Sequence, residues 1–245
     1  MKSFIFNADD LGWSELVDLG IFKSAEKGVV KSASLFVNSP RYKDAYKQAV
    51  DKGISVGIHL NVSGPGTFLN KNNTLFGENG KVKAALSKQI VLTQNEWKEV
   101  FEEFERQMNR FSKELGKPDH INNHHALYLA EGFTINFCQF LLKYNLPTRW
   151  FHDMKCPRLI HPNHSEFDFY DVGKLTKNHL IKLLDNAPDG VTEVILHPGF
   201  YDKTLNSSYN QERQKQVDVL TDGKLKHHLV KKDYKNITFN EINRE

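Results

Sequence analysis

Four short runs with β-strand character end on side chains that can hold a metal ion or move a proton. Ser3-Phe4-Ile5-Phe6 leads to Asp9-Asp10, Val56-Gly57-Ile58 to His59, His120-Ile121-Asn122-Asn123 to His124-His125, and Glu193-Val194-Ile195-Leu196 to His197-Pro198-Gly199. Between these runs the apolar pattern is helical. Alternation of strand and helix predicts a parallel sheet with its helices packed outside. In α/β barrels and in open parallel sheets, functional groups collect at the carboxyl ends of the strands. The four segments are therefore expected to meet at one rim.

The length of 245 residues suits one α/β barrel, for which about 250 residues is typical. Residues 1–245 are expected to form a single catalytic domain. A charged fraction of 26% and a hydrophobic fraction of 39% describe a globular chain rather than a disordered one. No apolar run approaches the roughly 18 residues of a spanning helix, and the amino terminus reaches Asp9 too soon for a secretory leader. The expectation is a cytoplasmic protein with no membrane partner. The net charge of +3 is small. The lysines of 224–235 alternate with His, Leu, Val and Asp, so that stretch reads as solvated surface and not as a nucleic-acid contact. Cys138 and Cys156 form no Cys-x-x-Cys pair and read as structural.

Ser14 is placed to cap a first helix that ends before Gly28, with Leu16, Leu19 and Phe22 as its buried stripe. A β-type run follows over 32–38, then a helix over 41–52 closed by Gly53. From 64 to 92 the periodicity disappears, apart from a short helical signal at 82–87. A stretch of that length reads as a lid or substrate-binding insertion. The clearest helix covers 94–115, where Trp97, Val100, Phe101, Phe104, Met108, Phe111 and Leu115 recur at steps of three and four. A helix over 132–144, a strand over 147–151, an irregular region through Gly173, helices around Leu180-Leu183-Leu184 and over 211–220, and a last strand at Ile237-Thr238-Phe239 complete the prediction.

Asp10, His59 and His124 offer one carboxylate and two imidazoles, a ligand set suited to Zn²⁺ or another divalent transition metal with positions left for water and substrate. Asp9 is then available as the base that takes the water's proton, and His197 as the acid for a leaving amine. Those parts fit acyl transfer from nitrogen to water. Each element also has an ordinary explanation on its own, since an Asp-Asp pair caps helices and His-Pro-Gly forms turns. Neighbouring side chains alternate across a strand, so only one of His124 and His125 is expected to face a metal.

The run Asn7-Ala8-Asp9-Asp10-Leu11-Gly12 resembles the opening of the YdjC-like carbohydrate deacetylases, which include chito-oligosaccharide deacetylases. The resemblance continues through Gly20-Ile21, Ser32-Ala33-Ser34, Gly57-Ile58-His59-Leu60-Asn61, the stretch from Lys117 to His125, and His197-Pro198-Gly199-Phe200, with Tyr209, Arg213 and Leu220 similar to the family's last helix. It implies an α/β fold, a distorted (β/α) barrel with about seven parallel strands of the polysaccharide-deacetylase type. It implies removal of acetyl groups from N-acetylated amino sugars with one divalent metal ion, described as Mg²⁺ for the family, whereas imidazole ligands favour Zn²⁺, Co²⁺ or Mn²⁺. By the same resemblance Asp9 is the base, Asp10, His59 and His124 are the metal ligands, and His197 is the acid. The resemblance also implies that Arg149 orients Asp9 or binds substrate and that the protein is a homodimer.

Where relatives read Asp-Ser-His-His-His, this chain has Asn122-Asn123-His124-His125-Ala126, which removes a carboxylate behind the ligands and a third histidine. Groups behind the ligands change metal affinity by roughly 10- to 100-fold, so affinity is expected to differ. Phe68, Phe76, Trp150 and Phe151 are candidates for stacking on a pyranose. The partner expected is a small N-acetylated saccharide such as a chitobiose-like oligosaccharide, with no nucleic acid. Hydrolysis of another amide or ester, or sugar binding without catalysis, are the alternatives.

Overall fold

The computed structural model describes residues 1–64, 66, 75, 92–124, 132–151, 156, 158–205 and 207–242. Among them seven strands form one sheet: β1 (Lys2–Leu11), β2 (Ser32–Leu35), β3 (Ser55–Leu60), β4 (Ile121–Asn123), β5 (His164–Glu166), β6 (Gly190–Leu196) and β7 (Lys235–Asn236). Every ladder is parallel, in the order β4-β3-β2-β1-β6-β5. β1 is the central strand. It takes β6 along its length, β7 at Ser3 and Phe4, and β2 from Asn7 onward.

The sheet curls into a half-barrel, and among the described residues regular pairing leaves it open between β4 and β5. Irregular chain passes along the β4 edge there. Ile121 bridges Thr148, and the Thr148 amide donates to the Ile160 carbonyl at 2.8 Å. The strand predicted over 147–151 is thus a single bridge. Pro147 has no N–H to give a ladder, and Arg149 spends its side chain inside the barrel. The fifth strand falls instead at β5, within the region read as irregular, because three residues are too few to show a period of two.

The helices lie in the connections: α1 (Glu15–Glu26), α2 (Tyr42–Asp51), α3 (Gln94–Glu114), α4 (Phe133–Leu142), α5 (Lys177–Asn186), α6 (Gln211–Leu220) and α7 (Gly223–Lys231). Ser14 caps α1 by accepting from the Val17 amide, as its residue type dictates. The predicted stripe of α1 is corrected, however. Leu19 is 41% exposed and Leu16 half-buried, while Val17, Ile21 and Phe22 are buried. The helix turns this way because Gly20 lies against the backbone of Gly199, where a Cβ would stand 2.7 Å from the Gly199 carbonyl carbon. α3 opens on a capping box between Thr93 and Glu96, and its buried side includes Trp97, Val100, Phe104, Met108 and Phe111.

The lysine-rich stretch after Lys224 presents its lysines to solvent, as read from the sequence, and most of it is helical. Asp222 caps α7, whose Leu225 and Leu229, four residues apart, are buried while its lysines face solvent. The last strand, β7, precedes Ile237, and Phe239 begins a 3₁₀ turn (Phe239–Glu241). The helical signal at 82–87 lies outside the described residues, as does most of the 64–92 stretch. No helix among the described residues is long and apolar enough to cross a membrane.

Candidate active site

Asp9 and Asp10 stand near the end of β1, and a regular strand would send them to opposite faces. The ladder with β2 shifts register between Ala8 and Leu11, and Asp10 adopts φ 73°. That left-handed conformation costs a residue with a Cβ roughly 1–2 kcal/mol. Both carboxylates thereby line the same cavity, of about 550 Å³, at the carboxyl rim of the sheet.

Three ligand atoms converge beside Asp10. Its Oδ1 lies 3.2 Å from His124 Nδ1 and 3.5 Å from His59 Nε2, and the two ring nitrogens are 3.3 Å apart. All three residues are buried. β3 delivers His59. His124 follows β4, where its amide donates to the Leu60 carbonyl at 2.8 Å. Phe36 sits edge-on to both imidazoles, with centroids 4.9 Å away, and Trp13 meets His124 edge-on at 5.5 Å. The rings are held in place by packing before any ligand arrives.

Asn122 lies on β4, two residues before His124. Its amide nitrogen donates to Asp9 Oδ1 (3.1 Å) and Ser34 Oγ (2.7 Å), which leaves Oδ1 to accept from His59 Nδ1 at 2.7 Å. With the proton on Nδ1, the lone pair of His59 Nε2 points at Asp10 and His124. Orientation of a ligating histidine through its second nitrogen is what a metal site requires, and the amide supplies it. An Asp could not also donate to Asp9.

Arg149 forks onto Asp9 through two bonds of 2.9 Å and onto Glu193 of β6 at 2.7–3.1 Å, all in the interior. Asp9 Oδ1 accepts from Asn7, Asn122 and Arg149. Asp9 Oδ2 accepts from Arg149 and lies 3.8 Å from His197 Nε2. Burial works against ionised Asp9, yet Arg149 and His59 overcome it and hold the carboxyl well below the usual range. Asp10 is likewise held low against burial, by Arg213 first and His124 next. Burial pushes His197 down to about 4 despite the two carboxylates, and it also lowers His124. In His59, Asp9 and Asp10 outweigh burial and raise it. Burial raises Glu193, with Arg149 opposing.

Arg213 of α6 is buried, donates to Asp10 Oδ2 at 2.6 Å and lies over the Trp13 ring at 5.0 Å. Neither it nor Glu193 stands among the residues assigned roles from sequence. A charge in the middle of a strand buried on both faces was the available signal for Glu193. Arg213 was noted from sequence only as similar to the family's last helix, and its polar surroundings there gave no sign of a role. Gln216, also on α6, accepts from the His197 amide at 2.7 Å and fixes the loop after β6.

Of the aromatic candidates, Phe151 lines the cavity and Trp150 lies half-buried near His164. Phe68, Phe76, His125 and Ala126 lie outside the described residues. Cys138 and Cys156 are buried free thiols.

The sequence profile of a family described as YdjC-like protein matches residues 3–231. A carbohydrate deacetylase of Geobacillus stearothermophilus is 34% identical over 244 residues, covering 97% of each chain. One from Halalkalibacterium halodurans is 30% identical over 231 residues, covering 90% of this chain and 96% of that protein. Among solved structures, an Enterococcus faecalis V583 protein described as a candidate for cellobiose-phosphate cleavage superposes with a TM-score of 0.84 at 24% identity, covering 99% of both chains. The family 4 carbohydrate esterase of Streptomyces lividans superposes with a TM-score of 0.53 at 10% identity, covering 98% of this chain and 94% of that one. The fold is of the polysaccharide-deacetylase type.

Proposed function

The chain belongs to the YdjC-like family, and on that premise we propose that it is a metal-dependent hydrolase that removes the acetyl group from N-acetylated amino sugars, small N-acetylglucosamine oligosaccharides of the chitobiose kind among them. The observation that carries this reading is the convergence of Asp10, His59 and His124 beside Asp9 and His197 in one cavity. The relatives named carbohydrate deacetylases support the choice of substrate class.

One carboxylate oxygen and two imidazole nitrogens fit a divalent ion with open positions, and the grip of Asn122 on His59 suits that use. Zn²⁺, Co²⁺ or Mn²⁺ matches the two imidazoles, and Mg²⁺ is the ion the family resemblance brings. When bound, the ion supplies polarisation of the acetyl carbonyl and acidification of a water.

The chain's own residues supply the rest. Asp9 Oδ1 already takes three donors, so Oδ2, with one, is the oxygen that receives the proton of the attacking water. Arg149 and Glu193 keep that carboxylate from rotating. His197 Nε2, 3.8 Å from the same oxygen, is placed to hand a proton to the leaving amine nitrogen. Neutral in the resting site, His197 acquires that proton during turnover, and Asp9 Oδ2 is the nearest source.

Residues 1–245 act in this reading as one catalytic domain of a cytoplasmic homodimer, for which light scattering after gel filtration is the check. The activity is tested by mass spectrometry of a chito-oligosaccharide mixture incubated with the protein and each of the four ions. Loss of 42 Da per acetyl is the expected result, a mass fixed by the chemistry and exact to about one unit. Asp9→Asn is expected to keep the metal and lose turnover, and His124→Ala to lose both. Release of acid from other amides or esters with none from sugars overturns the reading.

A further inference from the structure

Tyr170 ends the 3₁₀ turn (Asp168–Tyr170) that follows β5, and it stands at the cavity wall with 48% of its surface exposed. One face of its ring is covered by Tyr209, with centroids 4.2 Å apart and planes 10° from parallel. Tyr209 is buried, and its hydroxyl accepts from Gln216 Nε2 at 2.8 Å. Gln216 Nε2 also donates to the Phe169 carbonyl at 3.1 Å, and Gln216 Oε1 accepts from the His197 amide. One amide side chain therefore mounts the aromatic pair and the His197 loop together. The Tyr170 and His197 rings meet edge-on, 5.1 Å between centroids.

A rigid aromatic ring left half-open beside reactive groups has a specific use. The electron-rich face of a phenol attracts the weakly positive C–H groups that line one face of a pyranose, and burying that face removes apolar surface from water. Phe167, 38% exposed, also lines the cavity and continues the apolar wall. The His197 ring, whose Nε2 serves a leaving amine in the reading above, thus stands beside the Tyr170 ring. A pyranose bonded to that amine would then come within reach of the exposed tyrosine face.

We propose that Tyr170 is the platform on which the pyranose carrying the acetamido group stacks, with Tyr209 and Gln216 holding that platform in register with His197. This rests on the deacetylase reading above. It makes Tyr170 the residue that separates a sugar from a smaller acetyl donor.

The test is steady-state kinetics of the full chain loaded with cobalt(II), on N,N′-diacetylchitobiose by acetate release and on 4-nitrophenyl acetate by colour. In Tyr170→Ala, the ratio of kcat/KM for the sugar to that for the ester is expected to fall about tenfold, which is about 1.4 kcal/mol. The change is expected in KM, with Tyr170→Phe and Tyr170→Trp restoring the ratio because the ring and not the hydroxyl is used. An unchanged ratio in Tyr170→Ala overturns the proposal while leaving the deacetylase reading intact. So does an equal fall for both substrates, which would mean that the ring only buttresses His197. Wild-type protein that cleaves the ester and no sugar overturns both.

Discussion

Removing Arg213 separates two sources of positive charge at one carboxylate. Its guanidinium donates to Asp10 Oδ2 at 2.6 Å, and both side chains are about 2% exposed or less. Arg213→Met keeps much of the volume and leaves Asp10 buried and uncompensated. Breaking a buried pair from one side costs about 3–5 kcal/mol. At about 2–4 °C per kcal/mol for a chain of this size, the metal-free variant is expected to melt on the order of 10 °C lower. A divalent ion on Asp10 Oδ1 replaces the missing charge, so saturating metal is expected to narrow the gap. Narrowing by about 1.4–2.7 kcal/mol corresponds to tighter metal binding by the variant of about 10- to 100-fold. Urea unfolding of both proteins with EDTA and with cobalt(II), beside direct metal titration, measures each quantity. A gap equal or wider with metal refutes the placement of the ion at Asp10, and a metal-free gap below about 1 kcal/mol refutes the weight given to the pair.

Gly20→Ala places a Cβ 2.7–2.8 Å from Gly199 backbone atoms, and overpacking of that kind costs about 1–3 kcal/mol. Because Gly199 follows His197 by two residues, acetate release should fall together with the urea midpoint. His120 is buried, stacks on Phe239 at 4.0 Å, and is pushed down to about 3 by burial and then by the Arg149 charge. The unfolded chain protonates it near its usual 6.5, so between those values acid favours unfolding by about 1.4 kcal/mol per pH unit from this group. Metal-free His120→Gln should show that much less slope in unfolding free energy between pH 6 and 4, to about half a unit at either limit. Asn122→Asp sets a second carboxylate against Asp9 Oδ1 and strengthens the hold on His59. Cobalt(II) affinity is expected to rise about 10-fold or more, read by titration, while metal-free stability drops.

The rim was legible because strand-like runs delivered His59, His124 and His197 to the ends of buried strands, and those runs became β1, β3, β4 and β6, although their order in the sheet came only with the structure. β5 was not, since His164-Ser165-Glu166 is polar and too short to show alternation. Asn122 read as a lost carboxylate when only the residue type was in view. In three dimensions it accepts from one site residue and donates to another, which requires knowing that Asp9, Ser34 and His59 surround it. The role of Arg213, noted from sequence only as similar to the family's last helix, was hidden for a similar reason. Whether an arginine in a polar helix is exposed depends on what that helix packs against, and α6 packs against α1 beneath Trp13. Leu19 erred in the opposite direction. A leucine at the right spacing lost its place to Gly20, whose lack of a side chain sets the orientation of α1.

The central position of β1 also bears on how the chain is made. β1 is made before the six other strands of the sheet and carries both carboxylates, yet its longest pairing is with β6, about 190 positions later, and β7 joins later still. Until β6 has been synthesised, one edge of β1, with Phe4, Phe6 and Ala8, lacks its native neighbour. Such an edge invites wrong pairing between nascent chains. Carboxyl-terminal truncations ending before Gly190 are therefore expected to collect in the insoluble fraction, and co-expressing the missing piece should recover soluble protein.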